Sequence, residues 1–201
     1  MTRRLCIPIL LASLLLFSAC ATGPRYAPGE ATEALNPTIT AGSYIEDGQL
    51  LTLIIGTRAA KQRAKDEYMP LEFALAIKGI KGITLTRESF TLVDEAGKRY
   101  PAVGPQELQA NYHNIDLDRR LGDILPISNT RFISYNRIPS NFSPGFDDSV
   151  DRPRLNLPRY NWAYDFIYFP RPTEGVRGHR FELHVTAPEL PHEILIKFKV
   201  R

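Results

Sequence analysis

The chain has 201 residues, a length that suits one domain, and 43% of them are hydrophobic. It carries 25 Lys and Arg against 22 Asp and Glu, and without Arg3 and Arg4 the balance is 23 against 22. So small an excess of positive charge excludes the broad basic surface typical of nucleic-acid binding, and we expect no nucleic-acid partner.

The first residues have the layout of a secretory signal. Arg3 and Arg4 precede an apolar run over residues 5–17, and small residues follow at 18–19. The run is about a dozen residues long, whereas a membrane-spanning helix needs roughly 20. The pattern therefore predicts a signal peptide over residues 1–19.

Cys20 follows directly, and the segment Leu-Leu-Leu-Phe-Ser-Ala-Cys resembles the signal of bacterial lipoproteins. The resemblance implies cleavage after Ala19, a diacylglycerol on the Cys20 thiol and acylation of the new N-terminus. Two or more acyl chains anchor a protein stably, whereas one binds only marginally. Ala21 stands where an Asp retains such proteins in the inner membrane, which implies the outer membrane, facing the periplasm. The alternative is an ordinary secretory signal cut near Ala19 or Ala21, which leaves a soluble exported protein.

The two cysteines and the segment after Cys20 indicate what the mature domain contains and where it begins. Cys6 and Cys20 are the two cysteines of the sequence. Cleavage removes Cys6 and lipidation occupies Cys20, so we expect neither a disulfide nor a cysteine metal ligand. Residues 20–45 are rich in Pro, Gly, Ala and Thr and predict a flexible tether, which leaves residues 46–201 as the domain.

Apolar residues alternate with polar ones along much of this domain, which predicts half-buried β-strands. The apolar sets that share a parity are Leu51/Leu53/Ile55, Leu71/Phe73/Leu75/Ile77, Ile83/Leu85, Phe181/Leu183/Val185 and Ile194/Ile196/Phe198/Val200. A hairpin is predicted with its turn at residues 94–97, because Gly97 can adopt the positive φ of a tight turn. Helical potential is confined to residues 59–67 and 106–112.

The order of these patterns over residues 48–103 is similar to a known class of domain. A strand is followed by a Lys/Arg-rich loop, a Pro-Leu-Glu-Phe strand, a Gly turn, another strand and an Asp-x-x-Gly-Lys hairpin. This order resembles the immunoglobulin-like domains of exported bacterial proteins of unknown function. The resemblance implies a mainly all-β fold, an antiparallel immunoglobulin-like β-sandwich with a long Pro-rich loop and little helix.

The Pro-rich loop is the segment 136–161, which combines four prolines with aromatic and arginine side chains. Long loops without secondary structure are often functional, and aromatic and Arg residues are enriched at interface hot spots. The candidate partner-binding residues are Phe142, Phe146, Arg152, Arg154 and Tyr160. The hypothesis predicts that deleting residues 140–157 leaves the fold intact. The alternative is a structural excursion that covers a sheet edge.

The strand that follows is strongly aromatic over residues 161–170. Period-two alternation places Trp162, Tyr164, Phe166 and Tyr168 on one face. Trp162 and Tyr164 are candidates for stacking on a glycan, provided that Trp162 is exposed. Core and cross-strand packing is the alternative for such a row.

A search for catalytic motifs yields one constellation. Glu182 and His184 share the outer face of a predicted strand, and His179 lies at its entry. Together they could hold a metal ion in a metal-dependent hydrolase, or they are ordinary polar residues of an outer face. Asp116 and Asp118 are interpreted as part of a solvated turn.

The sequence thus predicts a cellular location but identifies no specific activity. The leading hypothesis is a membrane-anchored lipoprotein that acts as a non-catalytic interaction or structural module of the cell envelope, without a cofactor. Its expected partners are the membrane, through Cys20, and an envelope protein or the cell wall. The hydrolase with His179, Glu182 and His184 and the glycan-binding module are the alternatives.

Overall fold

The computed structural model describes residues 35–140, 142–143 and 154–201. The predicted signal peptide and Cys20 lie outside the described residues. Residues Glu33–Arg201 form one compact unit. The described residues are mostly β, with 41% of them in strands and 19% in helices, which confirms the predicted all-β class.

The strands within the described residues are β1 (Thr38–Thr40), β2 (Ser43–Asp47), β3 (Leu51–Gly56), β4 (Tyr68–Ile77), β5 (Gly82–Leu85), β6 (Phe90–Asp94), β7 (Arg99–Pro101), β8 (Asn136–Arg137), β9 (Leu155–Pro158), β10 (Asn161–Pro170), β11 (Arg180–Val185) and β12 (Ile194–Lys199). The helices are α1 (Arg58–Gln62), α2 (Pro105–Asn111), α3 (Ile115–Leu121) and α4 (Leu125–Arg131), with a 3-10 turn at Arg87–Ser89.

A six-stranded sheet has the order β1-β2-β3-β4-β10-β8 and is antiparallel except where β8 joins β10. The alternation predicted for its strands is confirmed. Leu53 pairs with Leu75 across β3 and β4, and both side chains are fully buried in the main core. Strand β10 pairs with β4 from Trp162 to Pro170, which fixes the register of the aromatic strand.

A four-stranded sheet in the order β12-β11-β6-β7 and a two-stranded sheet of β5 and β9 complete the sandwich-like arrangement. The predicted inward sets Phe181/Leu183/Val185 and Ile196/Phe198/Val200 are buried in the same core as the β3 and β4 side chains. Ile194 lies at its margin. The predicted hairpin is formed by β6 and β7, and Gly97 has a φ of 80°.

One edge of the sandwich is closed by the segment that enters the domain. The Asn36 amide N–H donates to the Lys197 carbonyl at 3.1 Å, and the Tyr44 hydroxyl donates to the Lys199 carbonyl at 2.8 Å. Strand β1 and the first part of β2 fall inside the range 20–45 that was predicted as a tether. The folded domain therefore begins N-terminal to residue 46, because polar residues such as Ser43 and Asn36 find partners in the sheet.

The helices cover the outer face of the six-stranded sheet. Ala74 and Ala76 present small side chains on this face of β4, and Ile124, Phe132 and Trp162 pack against them in a second core. Tyr68, Phe166 and Tyr168 form a third core with residues of α2. Helices α1 and α2 lie where helical potential was predicted, whereas α3 and α4 were not predicted. Each has seven residues, too few for a 3.6-residue period to stand out.

Candidate interaction surface

The predicted partner-binding loop divides into residues of different kinds. Phe142 is 2% exposed and packs against Phe73 and Phe90, with ring centroids 5.8 and 5.5 Å away. Its prediction as a surface anchor is therefore wrong, since the side chain fills the space between the sheets. Arg154 and Tyr160 are exposed, while Phe146 and Arg152 lie outside the described residues.

A buried carboxylate holds Phe142 in place. Asp165 on β10 accepts hydrogen bonds from the Phe142 amide at 2.7 Å and from the Ser143 hydroxyl at 2.6 Å. The buried Arg87 guanidinium donates to the Phe142 carbonyl. Burial raises the pKa of Asp165 and lowers the pKa of Arg87, because both charged forms lose contact with water.

This contact makes part of the loop structural. Deletion of residues 140–157 would remove Phe142, Ser143 and most of β9, and would leave Arg87 and Asp165 buried without their partners. Unpaired buried polar groups destabilise a fold strongly. From these contacts we expect the deletion to destabilise the fold, which is the opposite of what the sequence alone predicts.

The predicted stacking residues lie beneath the helical layer. Trp162 is 3% exposed and packs against Phe132, with centroids 5.5 Å apart. Arg137 lies over the rings of Trp162 and Tyr164 at 5.4 and 5.5 Å. The face predicted for this strand is confirmed, but glycan stacking requires an exposed Trp162, and α4 and Arg137 cover it. The core-packing alternative describes this row.

Another carboxylate attaches the helical layer to the sheet. Glu72 on β4 accepts from the Asp123 amide at 2.9 Å, the Ile124 amide at 3.1 Å and the Tyr164 hydroxyl at 2.7 Å. Burial raises its pKa. In the sequence, Glu72 occupies a polar position of an alternating strand. The alternation does not show that helices cover the face on which Glu72 lies.

Asp118 on α3 is fully buried, so its interpretation as part of a solvated turn is wrong. Its carboxylate accepts from Arg63 Nε and from the Tyr112 hydroxyl, both at 2.6 Å. These donors come from the α1 region and from the end of α2. The carboxylate therefore joins three helical segments.

The predicted metal ligands are divided between two places. His184 Nε2 lies 3.1 Å from Glu182, and His184 Nδ1 lies 2.9 Å from Glu193. Although burial opposes ionisation, hydrogen bonds from Lys197 and His184 lower the pKa of Glu182. His179 lies apart and faces Glu95 at 3.6 Å. Among the described residues, no group of three His, Cys, Asp or Glu side chains is arranged to hold a metal ion.

The most exposed large apolar side chains of the described residues include Ile133, at 85%, and Tyr160, at 53%. Ile133 lies in the segment that connects α4 to β8, and Tyr160 lies in the turn between β9 and β10. Tyr135 packs edge-on against Tyr160 at 6.1 Å, and Arg159 lies 4.7 Å above the Tyr160 ring. With Arg137, these residues form what we call the aromatic–arginine surface: Ile133, Tyr135, Arg137, Arg159 and Tyr160.

The backbone presents Tyr160 in an unusual conformation. Its φ is 59°, in the left-handed region that non-glycine residues rarely adopt. Its amide donates to the Ile77 carbonyl at 2.8 Å, and its carbonyl accepts from Asn136 at 3.1 Å. The turn is thus held from both sides, and a strained residue with an exposed ring is a feature that recurs at functional sites.

No protein-family model and no curated protein matches the chain. Among solved structures, it is similar to a candidate lipoprotein from Bacillus subtilis, with 11% identity and a TM-score of 0.40 over 78% of this chain and 38% of the other. The chain thus spans well under half the length of that protein. A functionally unknown protein from Listeria monocytogenes has 12% identity and a TM-score of 0.39, covering 80% and 84% of the two chains.

A DUF4426 family protein from Pseudomonas aeruginosa has 10% identity and a TM-score of 0.30, covering 78% and 97%. Likenesses this distant define neither the fold nor the function of the chain. Separately, none of the described helices is long and apolar enough to cross a membrane.

Proposed function

We propose that the protein is a lipid-anchored, non-catalytic module of the cell envelope that binds its partner through the aromatic–arginine surface. The observation that carries the proposal is the segment Leu-Leu-Leu-Phe-Ser-Ala-Cys, which places Cys20 directly after small residues and an apolar run. Acylation of Cys20 attaches the chain to the outer membrane, and the compact unit Glu33–Arg201 faces the periplasm.

The polar side chains of the domain support a structural rather than a catalytic role. Glu72, Asp118 and Asp165 each accept hydrogen bonds that join elements of the fold. His184 is flanked by two glutamates, and Lys197 pairs with one of them at 3.0 Å. These groups are engaged in contacts that hold strands and helices together, whereas Ile133 and Tyr160 offer apolar area to a partner.

Acylation of the full chain tests the proposal. We expect the protein expressed in a Gram-negative host to incorporate labelled palmitate, to shorten on processing and to fractionate with the outer membrane. Cys20→Ala is the decisive variant, because it removes the acceptor thiol. Cys6→Ala serves as the matched control. Residue 6 lies in the predicted signal peptide, so removing its thiol should leave labelling of the mature protein unchanged.

The outcomes separate the proposal from its alternative. Label that depends on Cys20 supports lipid anchoring. A processed, unlabelled protein in the soluble periplasmic fraction would instead establish the ordinary secretory signal and overturn the anchor. Fractionation with the inner membrane would overturn the assignment of the membrane alone.

A further inference from the structure

The aromatic–arginine surface continues into a basic region at one end of the six-stranded sheet. Lys78 and Lys81 lie in the turn after β4, and Arg159 donates from its amide to the Lys81 carbonyl at 2.8 Å. Asp47 pairs with Lys78 and with Arg131. Among the described residues, Lys81, Arg137 and Arg159 have no carboxylate at ion-pair distance, so the described part of this end carries more positive than negative charge.

The chain enters the domain at the same end. The Ile45 amide donates to the Pro37 carbonyl at 3.0 Å, and the Asn36 side chain donates to Glu46 at 2.7 Å. Glu46 precedes Asp47, the partner of Lys78. Because β1 runs from this end toward the opposite one, Leu35 lies at the same end of the sheet as the basic region. Fourteen residues separate Cys20 from Leu35, and they span at most about 50 Å.

From this arrangement we infer that the aromatic–arginine surface, with Lys78 and Lys81, binds the anionic headgroups of a phospholipid bilayer. The inference rests on the proposed function for its membrane and names the partner of that same surface. An acyl anchor and a basic surface then act as two independent membrane signals, and the second fixes which end of the domain faces the bilayer.

The chemistry of the side chains fits this partner. Arg and Lys near an anionic membrane surface each strengthen binding by about fivefold, an effect that falls off within a Debye length. Tyrosine is enriched at membrane interfaces, where the ring enters the headgroup layer and the hydroxyl stays hydrated. Tyr135 is half-buried and Tyr160 is exposed, and Ile133 adds an exposed apolar side chain to the surface.

Vesicle co-sedimentation of residues 20–201 with Cys20→Ala tests the inference. This chain lacks the acyl groups but keeps the whole compact unit Glu33–Arg201. We expect binding to vesicles of equal parts phosphatidylcholine and phosphatidylglycerol, little binding to pure phosphatidylcholine, and release when salt shortens the Debye length from about 10 Å to about 3 Å.

Two matched double variants locate the contact. Arg137→Ala with Lys81→Ala should weaken partitioning by about 25-fold, which is fivefold for each charge. Lys61→Ala with Lys65→Ala removes the same charge before β4 begins, roughly 30 Å away along that ten-residue strand, and should leave partitioning unchanged. Tyr160→Asn, which tolerates positive φ, should weaken binding with the charge intact. Thermal unfolding confirms that each variant is folded.

The results decide between occupants. Equal binding to both vesicle types, equal losses in the two double variants, or absence of binding to anionic vesicles would each overturn the inference. Binding to soluble polyglutamate without binding to vesicles would overturn it in favour of an acidic protein partner. Because the test protein cannot be acylated, none of these outcomes depends on the palmitate experiment, and failure of the anchor proposal is seen there alone.

Discussion

Two parts of one sequence segment behave in opposite ways. Within the range 136–161, Phe142 and Ser143 are buried between the sheets, whereas Arg159 and Tyr160 are exposed in a turn. Both parts contain an aromatic residue near a proline, so local composition does not distinguish them. The two parts differ in their contacts. Asp165 and Arg87 bind the first part inside the sandwich. The second part is bound at the surface, where Arg159 and Tyr160 donate to backbone carbonyls at the end of β4 and in the turn after it.

The largest effect is expected at the buried part. Phe142→Ala should lower the free energy of unfolding by about 3–5 kcal/mol, because it leaves a cavity beside Phe73 and Phe90. Urea unfolding measures the change. Ile133→Ala is the matched control at an exposed apolar residue, with an expected change within about 0.5 kcal/mol. Similar small losses for both variants would show that Phe142 is not a core residue.

A somewhat smaller loss is expected from the partner of this segment. Asp165→Ala should cost about 3 kcal/mol, because the Phe142 amide and the Ser143 hydroxyl lose their acceptor. Ser143→Ala removes one of those bonds and should cost about 1 kcal/mol. Chemical denaturation of both variants gives the comparison, and a loss in Asp165→Ala no greater than that in Ser143→Ala would contradict the role of the carboxylate.

A pH-dependent difference is expected between a buried carboxylate and an exposed one. Burial raises the pKa of Glu72 above 4.5, so its unfolded form releases the proton first and its contribution to stability falls as the pH rises through the folded pKa. Although partial burial opposes it, hydrogen bonds from Lys78 and Thr52 lower the pKa of Asp47 to about 2. The contribution of Asp47 to stability is fully present above pH 3.8 and is lost as the pH falls through about 2.

Unfolding free energies of the wild type, Glu72→Gln and Asp47→Asn across the acid range test these signs. The advantage of the wild type over Glu72→Gln should shrink toward neutral pH, and its advantage over Asp47→Asn should shrink toward the acid end. The same trend in both variants would contradict the assignment.

The smallest effect on stability is expected at the exposed turn. Tyr160→Gly relieves the positive φ but adds freedom to the unfolded chain, so the free energy of unfolding should change by no more than about 0.5 kcal/mol. Thermal unfolding measures it, with Phe142→Ala as the contrasting variant. A loss of several kcal/mol would show that the Tyr160 ring supports the fold and would remove the contrast between the two parts.

Most strands could be predicted from the sequence, because alternation in β3, β4, β11 and β12 reflects one apolar face turned to a shared core. The two faces of β10 were predicted for the same reason. The environments of the two faces could not be predicted, because the alternating pattern does not show whether the outer face of β10 contacts water or helices. The burial of Trp162, Glu72 and Asp118 depends on α3 and α4, which are too short to be recognised locally.

The site shows the same division. Tyr160 was predicted as a binding residue and is exposed, while Phe142 was predicted with it and is buried. The sequence did not predict Ile133, Tyr135 and Arg137 as binding residues, because they lie before or at the edge of the Pro-rich segment 136–161. The position of these residues at the surface and the positive φ of Tyr160 result from the tertiary structure. No spacing pattern in the sequence predicts either property.

The sequence by itself determined the β class, the inward faces of the main strands and the proposal of a lipid anchor at Cys20. These follow from local patterns, since strand alternation and a signal segment act over a few residues. Tertiary structure alone decided which polar groups are buried and which end of the sheet is basic. Those properties depend on contacts between distant segments, such as the Phe142 amide with the Asp165 carboxylate and the Arg159 amide with the Lys81 carbonyl, which require the strands to be in place.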